Sequence, residues 1–308
     1  MRLRFSTHDV FTDRVFAGNR LAVLPDARDA RGRPLDDATL QRIAAEFGFS
    51  ETAFVLPSRR PDCARRVRIF TPEAELPFAG HPTIGTAIAL VEQGIVAMAG
   101  DVVEFGFDLE AGPTPVTVRR DGRRLEAELT APSVPTTGPA TPETAVAAAL
   151  GLPPSAIDAR AHPPVDAGTG LPFVVVRLAD LVALGAARPD REGLARLPTP
   201  GGRHGVACYV PLDEAGRSLR VRVFGNEIGI EEDPATGSAA AALVGLLAGL
   251  DAASAGTLAY GITQGVEMGR PSSIRAVVDK AGGEVRRVRI AGTAVTVTDG
   301  WMTLPEPA

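Results

Sequence analysis

The sequence predicts an α+β protein made of two similar halves, each a set of strands wrapped around one buried helix. Three observations carry this expectation. Two segments, Pro82–Glu92 and Pro234–Leu250, are apolar on every side, which a helix buried all round must be. Each follows the same lead-in: a strand ending in phenylalanine (Phe70 or Phe224), a short loop, and an ionisable residue directly before proline, His81-Pro82 or Asp233-Pro234. From those prolines onward, PTIGTA matches PATGSA without a gap. A whole order of elements that recurs in this way marks an internal duplication.

The remaining elements fall in order. Arg2–Phe5 and Leu21–Leu24 read as short strands around a loop containing Gly18-Asn19. Over Asp37–Phe47, apolar Leu40, Ile43, Ala44 and Phe47 share one helix face, with Asp36 and Asp37 as N-terminal caps. Thr52–Leu56 and Arg66–Phe70 are β-like. Val102–Phe107 and Pro115–Ala131 return to strands, the latter turning at Asp121-Gly122. The segment PSVPTTGPATP, Pro132–Pro142, is rich in proline, glycine and threonine and reads as a domain boundary. It divides the chain into residues 1–131 and 132–308, with the last strand free to return to the first domain. Beyond it, Glu143–Leu150 reads as a helix and Phe173–Leu178, Val206–Val210 and Leu219–Phe224 as strands. Ile274–Leu304 is strand-rich. Proline suits the first helical position, which places the two apolar helix starts at Pro82 and Pro234.

Composition narrows the function classes. The chain has 308 residues, 45% hydrophobic and 22% charged, the balance of a globular protein. A net charge of −5 argues against a nucleic-acid surface. The longest apolar run, Ala239–Leu250, is too short for a bilayer span, and MRLRFSTHDVF lacks the marks of a signal peptide. A cytoplasmic protein with no membrane partner is expected. Cys63 and Cys208 are far apart and outside any CxxC pattern, so they read as free thiols and not as zinc ligands. Lys280 is the only lysine and falls in DKAGG, which reads as a turn, so a Schiff-base enzyme has no good nucleophile. Gly168-Thr169-Gly170 is not a dinucleotide fingerprint, and ATGSAAAAL lacks the lysine of a phosphate loop. His8, His162 and His204 have no partners at metal spacing and read as structural or surface residues. Neither a metal nor an organic cofactor is expected.

The chemistry concentrates at the two helix starts. A helix N-terminus has four unpaired N–H groups and about half a positive charge, and so attracts a carboxylate. Gly80 and Gly237 leave the backbone approachable there, and Thr86 and Ser238 add hydroxyls. His81 and Asp233 stand at the two mouths, either as proton carriers or simply as caps; an aspartate alone would more often be a cap. In Ser50-Glu51-Thr52-Ala53-Phe54, Glu51 stands between a helix end and an apolar strand. Glutamates are mostly solvated surface groups. At the lip of an apolar pocket, however, a carboxyl can both give and take a proton near neutrality.

DVFTDRVFAGNRLAVL, SETAFV, FTPEAELPFAGHPTIGTA, GIEEDPATGSAAAAL and QGVEMGRPS together resemble the PhzF family of phenazine-biosynthesis-like isomerases, from residue 9 to about residue 273 and in family order. The resemblance implies the diaminopimelate-epimerase fold: two pseudo-symmetric domains, each a curled, mostly antiparallel sheet around a central helix, with the active site between them. It implies a cofactor-free isomerase, a homodimer, acting on a small carboxylate-bearing metabolite in secondary-metabolite chemistry such as that of trans-2,3-dihydro-3-hydroxyanthranilic acid. Glu51 would be the general acid/base. His81, Asp233 and Ser238 would line the cleft, with Ser50, Gly80 and Gly237 holding substrate. Relatives that racemise amino acids use a cysteine at each helix mouth. Here those positions carry His81 (or Gly80) and Asp233, which disfavours a two-thiol epimerase. Gly225-Asn226-Glu227 departs from the proline-containing loop of the family. An amino-acid racemase or epimerase, and a non-catalytic small-molecule binder of the same fold, are the competing readings.

Overall fold

A computed structural model of the chain describes residues 1–189, 191–197, 205–225 and 231–304. It divides into two compact units, residues 1–130 with 291–308, and residues 131–290. The sequence predicts a second domain spanning 132–308 with its last strand free to return to the first domain; the stretch from residue 291 lies in the first unit.

In the first unit, β1 (Arg2–Val10) and β2 (Asn19–Leu24) precede α1 (Asp37–Phe47), β3 (Glu51–Leu56), β4 (Arg65–Phe70) and the short β5 (Glu75–Leu76). Then come α2 (Gly80–Glu92), β6 (Val102–Leu109), β7 (Gly112–Asp121) and β8 (Arg124–Thr130). Pairing is antiparallel for β1–β2, β3–β4, β6–β7 and β7–β8, and parallel for β2–β3 and β4–β6. Helix α2 touches β1, β2, β3, β7 and β8, strands from both ends of that order, so the sheet curls around it. Residues Gly80 to Val91 are all buried. A Cβ on Gly85 would come within 2.6 Å of Leu21 and Val10 side chains, so only glycine lets α2 lie this close to β1 and β2.

Helix α1 forms as its pattern dictates. Leu40, Ile43 and Ala44 face inward, the Asp36 side chain accepts from Thr39 N at 2.8 Å, and Gly48 ends the helix in the left-handed conformation at φ 59°.

The second unit contains β9 (Thr136–Ala140), α3 (Glu143–Ala149), β10 (Val165–Gly168), β11 (Pro172–Arg177), α4 (Leu181–Ala186) and α5 (Arg191–Arg196). It continues with β12 (Gly205–Pro211), β13 (Ser218–Gly225), α6 (Gly237–Leu250), β14 (Gly256–Gln264) and β15 (Ser272–Ala281). Strand β16 (Glu284–Thr303) begins here and ends in the first unit, where Arg2 to Val10 pair with Thr303 to Ala294. Here β10–β11, β12–β13 and β14–β15 are antiparallel, while β11–β12 and β13–β14 are parallel. That is the sequence of pairings of β1 to β7, with α6 in the place of α2. The duplication read from the sequence is present in the topology.

Two local expectations are corrected and a third feature is located. Residues 136–140 of the proline-rich boundary form an exposed edge strand, β9. Gly168 ends β10 opposite Pro172, and Thr169-Gly170-Leu171 make the turn of the β10–β11 hairpin, consistent with Gly168-Thr169-Gly170 not being a dinucleotide fingerprint. Lys280 is not in the turn, which is made by Gly282-Gly283; it is a buried residue of β15 whose Nζ donates to Ala248 O and Asp251 O, both at 2.7 Å. It thus satisfies carbonyls at the C-terminal end of α6, which every helix leaves unpaired.

Among the described residues no helix is long and apolar enough to cross a membrane, and no three His, Cys, Asp or Glu side chains are grouped as a metal would require. His204 and the segment from Asn226 to Ile230 lie outside the described residues.

Candidate active site

In the first unit, parallel pairing sets Leu21 opposite Glu51, so β2 and β3 begin side by side. Asn19 opens β2 and is buried. Its Oδ1 accepts a 3.0 Å hydrogen bond from Ser50 Oγ, and its Nδ2 lies 3.3 Å from His81 Nδ1. On the far side of the ring, His81 Nε2 stands 3.4 Å from Glu51 Oε2. Glu51 is only 7% exposed and His81 only 4%. Ser50, Glu51 and His81 are therefore brought together, with Gly80 at the first position of α2 beside them.

The Glu51–His81 contact is not an ion pair at neutral pH. Burial pushes the imidazole down to about 3, partly opposed by a hydrogen bond with the Arg20 backbone. The positive end of α2 disfavours the imidazolium as well. The contact therefore sets a neutral imidazole beside a buried carboxyl, and a carboxyl in such a place is the kind of group that exchanges protons with a substrate.

In the second unit, Asp233 bridges to β13, its N–H donating to Val223 O at 3.0 Å. Thr236 Oγ1 donates to Asp233 Oδ2 at 2.6 Å. Gly237 and half-buried Ser238 are the first two residues of α6.

The prolines do not mark the helix starts. Helix α2 begins at Gly80 with Ala79 as its N-cap, so Pro82 is its third residue. Proline fits there because the first four helical N–H groups have no partner in any case. Helix α6 begins at Gly237 with Thr236 as its N-cap, three residues beyond Pro234. Neither His81 nor Asp233 is a cap. His81 lies inside the first turn of its helix, whereas Asp233 sits four residues before the first residue of its own. The matched motifs are therefore offset relative to the helices that follow them, and His81 and Asp233 are not structural equivalents.

Asn19 escaped the residue-by-residue reading. Its partners are 31 and 62 residues away, so no local pattern marks it beyond its place in the expected Gly18-Asn19 loop. The cysteines are free and buried, outside both helix starts; burial pushes the Cys208 thiol up to about 12 and raises that of Cys63. A cavity of about 640 Å³ in the second unit, lined by Arg188, Arg191, Arg222, Glu231, Glu232 and Glu267 among others, includes none of the candidate residues.

The family model described as phenazine biosynthesis-like protein matches residues 8–300. An uncharacterised isomerase of Mesorhizobium japonicum is 40% identical over 299 residues, covering 95% of this chain and 96% of that protein. The trans-2,3-dihydro-3-hydroxyanthranilate isomerase of Pseudomonas aeruginosa is 34% identical, covering 96% of this chain and 98% of its own length. A crystal structure of a PhzF-family phenazine biosynthesis protein from Bacillus anthracis superposes with a TM-score of 0.85 at 25% identity, over 99% of this chain and 100% of that one.

Proposed function

Because this chain belongs to the phenazine biosynthesis-like family and is an enzyme of the isomerase class, we propose that it moves a proton within a small carboxylate-bearing metabolite, with Glu51 as the general acid/base. The observation that carries this reading is the buried Glu51 carboxyl set 3.4 Å from a neutral His81 at the start of α2. Glu51 removes a proton from a carbon acidified by a neighbouring double bond or carboxylate. The electron pair delocalises through the conjugated system toward that carboxylate. Glu51, now protonated, returns the proton to a second carbon of the same system. Nothing is oxidised or reduced.

Charge that develops on the substrate is met by N–H groups at a helix start, usually the largest stabilisation available to such a site. His81 orients the substrate as a neutral hydrogen-bonding group. Asp233 and, in the first turn of α6, Gly237 and Ser238 are the second unit's candidate substrate-binding residues. Ser50 holds Asn19, and Asn19 holds His81. The reaction needs neither metal nor organic cofactor. The protein works in the cytoplasm as a homodimer, without nucleic-acid or membrane partners, in the secondary-metabolite chemistry its relatives' names suggest. Two-thiol epimerisation finds no support, because neither free thiol belongs to the residues that open α2 or α6.

Glu51→Gln keeps the shape and removes the transferable proton. We expect normal folding and a loss of turnover of about 10²–10⁴-fold, the usual contribution of a positioned acid/base. Near-full activity of this variant on a substrate the wild type isomerises would refute the assignment.

A further inference from the structure

We infer that Gln264 and Thr236 are positioning residues that fix the Asp233 carboxylate as a hydrogen-bond acceptor beside the N-terminus of α6. The inference deepens the proposed reaction and rests on it for the role of Asp233.

Gln264 is the last residue of β14 and has no exposed surface. Its carboxamide makes three hydrogen bonds to the four residues before α6. Oε1 accepts from Thr236 N at 3.1 Å. Nε2 donates to Asp233 O at 2.7 Å and to Thr236 Oγ1 at 3.0 Å. The amide's orientation is fixed by chemistry. A backbone N–H can only donate and a backbone carbonyl can only accept, so a flipped amide would lose both contacts.

The direction of the next bond follows. With Thr236 Oγ1 accepting from Gln264, the hydroxyl proton remains for Asp233 Oδ2, 2.6 Å away. The sense runs Gln264 N–H to Thr236 O–H to Asp233 carboxylate, and Asp233 is the acceptor at Oδ2. A short hydrogen bond to an ionised acceptor is among the stronger ones available to a side chain.

The same amide anchors the main chain. Its bonds to Asp233 O and Thr236 N join the two ends of the Asp233–Thr236 segment, which leads the chain into α6. Gly265, at φ +74°, lets β14 come against this segment: a Cβ there would lie 2.5 Å from Pro234 O. One buried amide thus sets both where the Asp233 backbone lies and which way its carboxylate points.

The relay can be read on the full chain without substrate, with aspartate carboxyl carbons labelled with ¹³C for NMR at neutral pH. Asp233→Asn identifies the resonance by its loss. Thr236→Val preserves the side-chain outline and the backbone N–H and removes only the hydroxyl. It should displace the Asp233 resonance, and Thr236→Ser should return it to the wild-type position. Gln264→Met should displace it too, because the hydroxyl is then free to turn; if that variant does not fold, the Thr236 pair still decides. A resonance unmoved by Thr236→Val, or not returned by Thr236→Ser, overturns the relay. The catalytic side is read separately, with trans-2,3-dihydro-3-hydroxyanthranilic acid as probe. Losing one hydrogen bond to a charged group should lower kcat/KM about 10- to 100-fold in Thr236→Val, with rescue in Thr236→Ser. Full turnover by Asp233→Asn, with the resonances behaving as expected, would overturn the role of Asp233 in the site and leave the relay standing.

Discussion

His8 and His81 are both buried and both held neutral, yet only His81 stands beside another candidate site residue. The His8 ring lies 2.8 Å from Ser6 Oγ and 3.3 Å from Thr296 Oγ1. Burial pushes it down to about 4, with Asp299 opposing. The folded-state value is below the ordinary 6.5, so the unfolded chain takes up the proton first as pH falls. The stabilisation is fully present above about 6.5 and is lost as pH falls through about 4; it amounts to roughly 3 kcal/mol by proton linkage. His81, at about 3, acts in the same sense over a window that starts at the same unfolded-state value and extends to lower pH. Urea unfolding at pH 7 and pH 4.5 should therefore show a smaller loss of stability in His8→Gln than in the wild type. An equal loss would mean that His8 is not the group being titrated. At this scale the sequence offered Glu51 and His81 as candidates because the motifs that carry them are local. It was silent on Asn19, Thr236 and Gln264, because hydrogen bonds to residues 28 to 62 positions away leave no local pattern.

Among the elements, α1 was legible from end to end: its apolar spacing, the Asp36 cap and Gly48 are all local signals. The buried helices α2 and α6 were legible as helices but not in where they start. An N-terminal boundary near proline depends on what satisfies the preceding backbone, and for α6 that is Gln264 from a distant strand. The six-residue α4 and α5 are too short to show a period. Lys280 was misplaced because the carbonyls it serves lie 29 and 32 residues upstream. The packing of β14 against the segment before α6 makes its own prediction. Gly265→Ala puts a methyl where Pro234 and Arg270 backbone atoms lie within 3 Å, at a φ that L-residues rarely adopt. It should cost about 1–3 kcal/mol and lower Tm accordingly. An unchanged Tm would show that the segment yields freely and that its placement by β14 is loose.

For the whole molecule, the duplication was the most legible feature. Two short motifs and a repeated order of elements were enough to infer two halves around two helices, and both units repeat one series of parallel and antiparallel pairings. The duplicated frame has since diverged in its chemistry: His81 is inside a helix, whereas Asp233 lies outside one and is held by an amide relay. The central claim is that one such frame, with Glu51 as proton carrier, isomerises a carboxylate-bearing substrate with its own side chains alone. The most direct measurement is NMR of trans-2,3-dihydro-3-hydroxyanthranilic acid and related unsaturated carboxylates in D₂O, with wild-type protein that has been exhaustively chelated and desalted, alongside Glu51→Gln. The account predicts isomerisation of at least one of these acids by the treated wild type, with deuterium from solvent appearing at the carbon that receives the proton, and loss of both in Glu51→Gln. Activity that vanishes on chelation and returns only with added metal or cofactor, or isomerisation that persists in Glu51→Gln, would contradict it.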